Sequence, residues 1–377
     1  MANHALLSAS SSHRWIACPP SAQLNAKAPD KPSEYAQEGT DAHELCQYKV
    51  EDYLGMDVKN PVENLTYYNA EMENCADSYR DYVAESIEGA KAYCKDPLVM
   101  VEKRVDFTQY VPEGFGTCDC LIAADNTLHI IDFKYGVGVL VEAKNNPQMM
   151  LYALGALSIF DGIYDIENIS MTIFQPRREH ISTANITKDA LITWAEGVLK
   201  PAATAAMKGI GEFYAGDHCR FCKVKATCRK RAEYNMAMAK YDFAMPNTLE
   251  DEEISIILSR AEDLTSWVAD VKEYALQKAL DGHQWEGYKL VEGRATRKYT
   301  DEKAIGDKVT EAGFDPYEKK LLGITALTKL LGKSKFEEIV GPYTAKPSGK
   351  PTLVKDTDKR PQIELKLTAS EDFKEEN

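Results

Sequence analysis

The chain has 377 residues, of which 44% are hydrophobic and 28% charged, with a formal net charge of −14. That is material for one large domain or two ordinary ones with a sizeable core, and no apolar run approaches the ~20 residues that cross a bilayer. The acidic balance argues against a protein that coats nucleic acid through bulk charge, while leaving room for one that grips a few phosphates with a local basic patch.

The first 33 residues are rich in Ser, Ala and Pro around a short apolar piece, Trp15-Ile16-Ala17-Cys18, and read as an N-terminal arm. They have no basic flank followed by an apolar block, so no signal peptide is expected and the cytoplasm is the expected compartment. Helical periodicity runs over 34–54 and 68–94. Leu98–Phe107 reads as a strand with Val99, Val101 and Val105 on one face. Two more strands follow, Thr117–Ala124 and Thr127–Lys134. Pro147 then opens a helix to about Phe160 behind Asn146 as N-cap. Ile169–Phe174 is a further strand and Thr187 to about Met207 a helix. Helix, three strands, helix, strand, helix predicts an α/β core over 34–235. Thr248–Leu280 reads as a long amphipathic helix with Glu250, Asp251, Glu252 and Glu253 at its start, where the macrodipole favours acids. The helical or small C-terminal region spans 246–343, and the Lys-, Pro- and Glu-rich tail 344–377 is expected to be disordered.

The informative stretch is Gly116 to Gly136. Asp132 and Lys134 are two apart on a strand and therefore share a face, inside the apolar run Leu128–Phe133 where a charge is costly to bury alone. With Asp125-Asn126 as a two-residue hairpin turn, Ala124 faces Thr127 and Asp119 comes opposite Asp132. Opposed residues have Cβ atoms roughly 5 Å apart, and two carboxylates that close repel unless a positive group lies between them. Mg²⁺, which takes one or two carboxylates plus water and phosphate oxygens, answers that need. A buried Asp–Lys pair that merely ties two strands together is the bland alternative. Glu102, on the preceding strand, reads first as a surface salt bridge and second as part of a metal shell.

In order, Gly116-x-x-Asp119, Ile130-Ile131-Asp132-Phe133-Lys134 and Gln148-x-x-x-Tyr152 resemble the motif series of RecB-family nucleases in the PD-(D/E)xK superfamily. Glu38-Gly39-Thr40-Asp41-Ala42-His43 resembles the helix that carries a histidine in those enzymes. The resemblance implies a restriction-endonuclease-like core, a mixed central sheet flanked by helices. It further implies Mg²⁺ or Mn²⁺ held by His43, Asp119, Asp132 and the main-chain carbonyl of Phe133, with Lys134 catalytic. Gln148 and Tyr152, an i, i+4 pair, would hold DNA or the lysine. The expected activity is metal-dependent hydrolysis of DNA phosphodiesters, as an exonuclease. The second carboxylate is Asp where many superfamily members have Glu. The whole chain also resembles a phage-encoded family that shares the Ser-rich start and Cys18-Pro19-Pro20-Ser21. That implies a phage or prophage source, a bacterial host, and recombination or replication proteins as partners beside DNA.

Among nine cysteines, Cys46, Cys75, Cys94, Cys118 and Cys120 are scattered and read as buried small hydrophobes. Cys219, Cys222 and Cys228 cluster as C-x2-C-x5-C, a metal-ligand spacing that needs a fourth ligand, for which Cys18 is the best candidate. A distant N-terminal cysteine joined to such a cluster resembles the iron–sulfur staple of AddB-type nucleases and CRISPR-associated RecB-like exonucleases, which implies a [4Fe–4S] cluster. Zinc held by the three cysteines with His218 or Cys18 is the alternative. Arg220, Lys223, Lys225, Arg229, Lys230 and Arg231 form a basic run without an acid, a candidate phosphate-facing surface or else a solvated face. Two rival readings are a non-catalytic DNA-binding scaffold and a nucleotide hydrolase, and the second lacks a GxxxxGK[ST] run.

Overall fold

The computed structural model describes residues 5–29, 34–160, 162–238, 249–292, 300–317, 321–345, 353–354 and 361. A five-stranded mixed sheet forms the centre, ordered β1 (Leu98–Asp106), β2 (Phe115–Ala124), β3 (Thr127–Phe133), β4 (Asn168–Gln175), β5 (His180–Thr187). Pairing is antiparallel except between β3 and β4. That parallel pair needs a crossover, which α5 (Pro147–Phe160) supplies, buried along most of its length. The Asn146 side chain caps α5, accepting from the amides of Gln148 at 3.0 Å and Met149 at 3.4 Å. The hairpin turn lies where expected: Ala124 pairs Thr127 and Asp125 takes φ 48°.

Helices cover both faces of the sheet. On one lie α3 (Glu34–Tyr53) and α4 (Ala70–Lys91), burying Leu45, Met72, Tyr79 and Val83 against Ile122, Ile131 and Phe133. On the other lies α5 with α1 (Ser12–Ala17), α2 (Ser21–Lys27), α6 (Lys188–Trp194) and α7 (Lys200–Lys208). The expected N-terminal arm is therefore part of this layer. Leu7 and Trp15 are wholly buried, and the Trp15 indole donates to the Ser8 carbonyl at 3.0 Å.

Three expectations change. β5 was not legible: it is a polar edge strand, His180-Ile-Ser-Thr-Ala-Asn-Ile-Thr187, with little apolar content to mark it. The helix expected over Thr187–Met207 carries a π turn at Ala195–Leu199, just before Pro201, whose missing N–H and ring disturb the preceding turn of an α-helix. Finally, Val99, Val101 and Val105 do not share a face. Val99 and Val101 pack on the α3/α4 side and Val105 on the α5 side. Between them Glu102 adopts φ 46°, which interrupts the period-two alternation of an extended strand. The partner strand changes side at the same level, with Cys118 in the α5 layer and Cys120 in the α3/α4 layer.

Two compact units divide the chain, Met1–Lys278 and Ala279–Asn377. The boundary falls inside α9 (Asp251–Leu280) rather than ahead of it. In the first unit α8 (Arg229–Met236) leads toward α9, and Thr248, the expected start of α9, lies outside the described residues. The second unit holds α10 (Glu302–Glu311), α11 (Ile324–Leu331) and α12 (Lys333–Ile339), with Phe336 buried. Most of the tail expected to be disordered lies outside the described residues. Among the described residues no helix is long and apolar enough to cross a membrane.

Candidate active site and metal centres

At the Glu102 level of the sheet, side chains from five elements converge. The β2–β3 ladder ends at Cys120 with Ile131, and Asp119 and Asp132 are the next residues along each strand. The two carboxylates then engage different partners. Asp119 Oδ2 accepts the Phe133 amide at 2.6 Å, and its Oδ1 lies 3.4 Å from His43 Nδ1 on α3. The His43 ring stands edge-on to Phe133, with centroids 5.4 Å apart. Asp132, only 2% exposed, is 2.8 Å from the Lys134 ammonium through Oδ2 and accepts from Gln148 Nε2 through Oδ1 at 3.0 Å.

Gln148 in the first turn of α5 binds the second group together. Its Oε1 accepts from Lys134 Nζ at 3.2 Å, and its Nε2 also donates to the Tyr152 hydroxyl at 3.0 Å. The Tyr152 ring lies so close to β2 that a Cβ on Gly116 would stand 2.7 Å from it. Glycine at 116 thus has a steric cause.

The charges explain one another. Burial favours neutral Lys134, yet Asp132 and Asp119 outweigh it and hold the ammonium protonated above its ordinary range. Burial pushes the Asp132 carboxyl up. For Asp119 burial acts in the same direction, but His43, Lys134 and the Phe133 amide together bring it below the usual carboxylate range. His43, opposed by burial but supported by Asp119, is raised. Glu102, facing burial first and Asp119 second, is pushed up to about 7.

Glu102 does not form the expected surface salt bridge; no such pair involves it among the described residues. One ligand atom from each of His43, Glu102 and Asp119 lies within 4.8 Å of the others, a donor set suited to a divalent cation. The sequence signal was a glutamate inside the apolar strand Val99–Val105, which the β1–β2 register places level with Asp119.

The four cysteines proposed as a cluster also meet. Cys18, at the end of α1, and Cys219, Cys222 and Cys228 line one cavity with Arg14, Ser21, Tyr214 and His218. Asn25 of α2 fastens the two chain segments: Nδ2 donates to Cys222 Sγ at 3.2 Å and Oδ1 accepts the Lys223 amide at 2.8 Å. Arg14 Nη1 donates to the Ser21 carbonyl at 2.9 Å. His218 is buried, with Nε2 3.0 Å from the Tyr214 carbonyl. The other five cysteines are buried thiols, as expected.

The basic run is partly consumed. Lys225 and the buried Arg231 both pair with Asp270 of α9, at 2.8 and 2.5 Å, and Lys230 stands 3.7 Å from Glu233. Arg220, Lys223 and Arg229 are exposed.

Fold and site together define an α/β protein with a histidine–carboxylate–lysine constellation at its central sheet. The chain belongs to the family described as "Protein of unknown function (DUF2800)", whose model matches residues 4–361. Among solved structures, one titled "Crystal structure of SSO0001" matches 51% of this chain and 98% of its own length at 15% identity. Its TM-score of 0.24 is too low to support an argument.

Proposed function

We propose that the protein is a divalent-cation-dependent deoxyribonuclease of the RecB-like PD-(D/E)xK kind that hydrolyses phosphodiesters in DNA processing. The observation that carries this reading is Gln148: one side chain joins Asp132, Lys134 and Tyr152 beside the His43–Asp119 pair. A buried Asp–Lys ion pair by itself would require neither Gln148 nor Tyr152.

The donor set fits a cation. Hard carboxylate oxygens and an imidazole nitrogen gather at His43, Glu102 and Asp119, and two mutually repelling carboxylates stand close with one histidine between them and neutrality. Mg²⁺ or Mn²⁺ there would act as a Lewis acid toward the phosphate and lower the pKa of water. The chain's own groups have separable tasks. Lys134, held protonated, presents positive charge to a phosphate oxygen, where developing charge is stabilised. Gln148 fixes the position of that ammonium and orients Asp132. Asp119 and His43 hold the cation side, and Tyr152 braces Gln148 from the next turn of α5.

For Cys18, Cys219, Cys222 and Cys228 the proposed group is a [4Fe–4S] cluster. What supports it is that the four cysteines line one cavity, with zinc as the alternative occupant. The exposed Arg220 and Arg229 are the candidates for phosphate contact.

The test is incubation of the purified full chain with end-labelled linear and circular DNA, with Mn²⁺, Mg²⁺ or chelator. Cation-dependent cleavage of linear DNA is expected, with circular DNA spared if the action is exonucleolytic. Intact DNA under every condition sinks the reading and leaves a DNA-binding scaffold as the alternative.

A further inference from the structure

We propose that Glu102 is a direct ligand of the divalent cation, completing with His43 and Asp119 a site in which Asp132 is not the principal second carboxylate. This rests on the reading of the site as cation-dependent. Three observations carry it. The first is position: a Glu102 oxygen lies within 4.8 Å of both the His43 nitrogen and an Asp119 oxygen.

The second is what the other carboxylate is doing. Asp132 accepts from Gln148 through Oδ1, and its Oδ2, a buried oxygen without a hydrogen-bond partner, is already offset in charge by the Lys134 ammonium 2.8 Å away. Glu102 makes no ion pair or hydrogen bond among the described residues, although it is half-buried beside a second carboxylate. A glutamate so placed is repelled by Asp119 and has lost part of its hydration. A cation between the two removes both penalties.

The third is how the side chain arrives there. Glu102 holds φ 46° in the middle of β1, and around it both paired strands exchange the faces of their apolar residues. A left-handed residue bearing a Cβ is strained. The same distortion separates Glu102 from the regular alternation that aims Val99 and Val101 at the α3/α4 layer. A salt bridge at the surface requires no such backbone, whereas delivery of a carboxylate to a fixed point does.

The experiment titrates Mn²⁺ into the metal-free full chain by calorimetry, without DNA, for the wild type, Glu102→Gln and Glu102→Asn. Glutamine keeps the shape and loses the charge, and asparagine tolerates the left-handed region. Both variants are expected to weaken Mn²⁺ binding at least about tenfold while melting at or above the wild-type temperature without metal. Binding within about threefold of wild type in both folded variants overturns the proposal, as does a wild type that takes up no Mn²⁺ at millimolar concentration. DNA cleavage measured in parallel separates the two claims. Glu102-dependent Mn²⁺ uptake by a protein that cuts no DNA removes the nuclease reading alone. Cleavage with wild-type Mn²⁺ dependence in Glu102→Gln removes the ligand assignment alone.

Discussion

Lys134 illustrates how much of this site depends on single contacts. Its ammonium is held by Asp132 at 2.8 Å and by Gln148 at 3.2 Å, in a setting whose burial works against its charge. Lys134→Ala leaves Asp132 held by Gln148 without the neighbouring positive charge, so the expected outcome is loss of DNA cleavage by at least about a hundredfold in a protein that stays folded. Wild-type cleavage rates in that variant under Mn²⁺ would remove Lys134 from the mechanism. Gly116 makes the complementary case, where the absence of a side chain matters. Gly116→Ala places a methyl 2.7 Å from the Tyr152 ring and must displace either β2 or α5. A destabilisation of about 1–3 kcal/mol is expected, visible as a lower melting temperature, together with slower cleavage because Gln148 loses the Tyr152 hydroxyl. A variant that melts and cleaves as wild type would show that the ring moves freely.

At the level of elements, the sheet carries a polar row from β3 through β4 to the edge strand β5. His129 Nε2 on β3 meets Thr172 Oγ1 on β4 at 2.9 Å, and Thr172 meets Thr183 on β5 at 2.9 Å. Burial lowers the His129 pKa to about 4, against about 6.5 when unfolded. The folded state therefore favours neutral imidazole: the contribution is complete above about pH 6.5 and is lost as pH falls toward 4, where the unfolded chain takes up the proton first. The half-buried ring limits the loss to about 1–3 kcal/mol. Melting temperatures between pH 7 and 4 should fall less steeply in His129→Gln than in the wild type, and parallel curves would count against the assignment. The joint of α2 with the cysteine segment is a second element-level feature. Asn25, 5% exposed, bonds to Ser21, Cys222 and Lys223. Asn25→Leu removes the Cys222 and Lys223 bonds at once and should lower the iron content of purified protein. Full iron loading would mean that the thiols alone define the site.

For the molecule as a whole, Cys18 and Cys219 are about 200 positions apart, with His43, Glu102, Asp119, Asp132, Lys134, Gln148 and Tyr152 all between them. A cluster joining them closes a long loop. By analogy with a disulfide this removes unfolded-chain freedom worth about 4–5 kcal/mol, and metal binding adds to folding because the site does not pre-exist in the unfolded chain. Hydrolysis requires no electron, so the proposed role is structural. Anaerobically purified protein should be brown with about four irons per chain. Cys222→Ala should melt at least about 5 °C lower, and reduced and oxidised cluster-loaded protein should cleave DNA at the same rate. An unchanged melting temperature, or a large change in rate with redox state, would contradict a staple.

Local rules were enough for most of the elements and for the composition of the site. Asn146-Pro147 announces a helix start because cap and first-turn preferences act within four residues. Asp125-Asn126 sets the β2–β3 register because a two-residue turn leaves only one pairing, and that register places Asp119 level with Asp132. Period two puts Asp132 and Lys134 on one face. The cysteine spacing likewise singles out Cys219, Cys222 and Cys228. What depends on contacts between distant segments was not legible. β5 has too few apolar residues to mark it and exists because the β4 edge offers hydrogen bonds. Trp15 and Leu7 sit in a stretch whose composition suggests a loose arm, yet α5 and α7 give them a core to enter. Lys225 and Arg231 read as free cations until Asp270, some forty positions away, reaches them. The role of Glu102 required tertiary structure most of all. The β1–β2 register, not legible in the sequence, places it level with Asp119, and the left-handed backbone within β1 brings its carboxylate near His43. A single φ angle is set by the packing of both layers around it, not by the residues beside it in the chain.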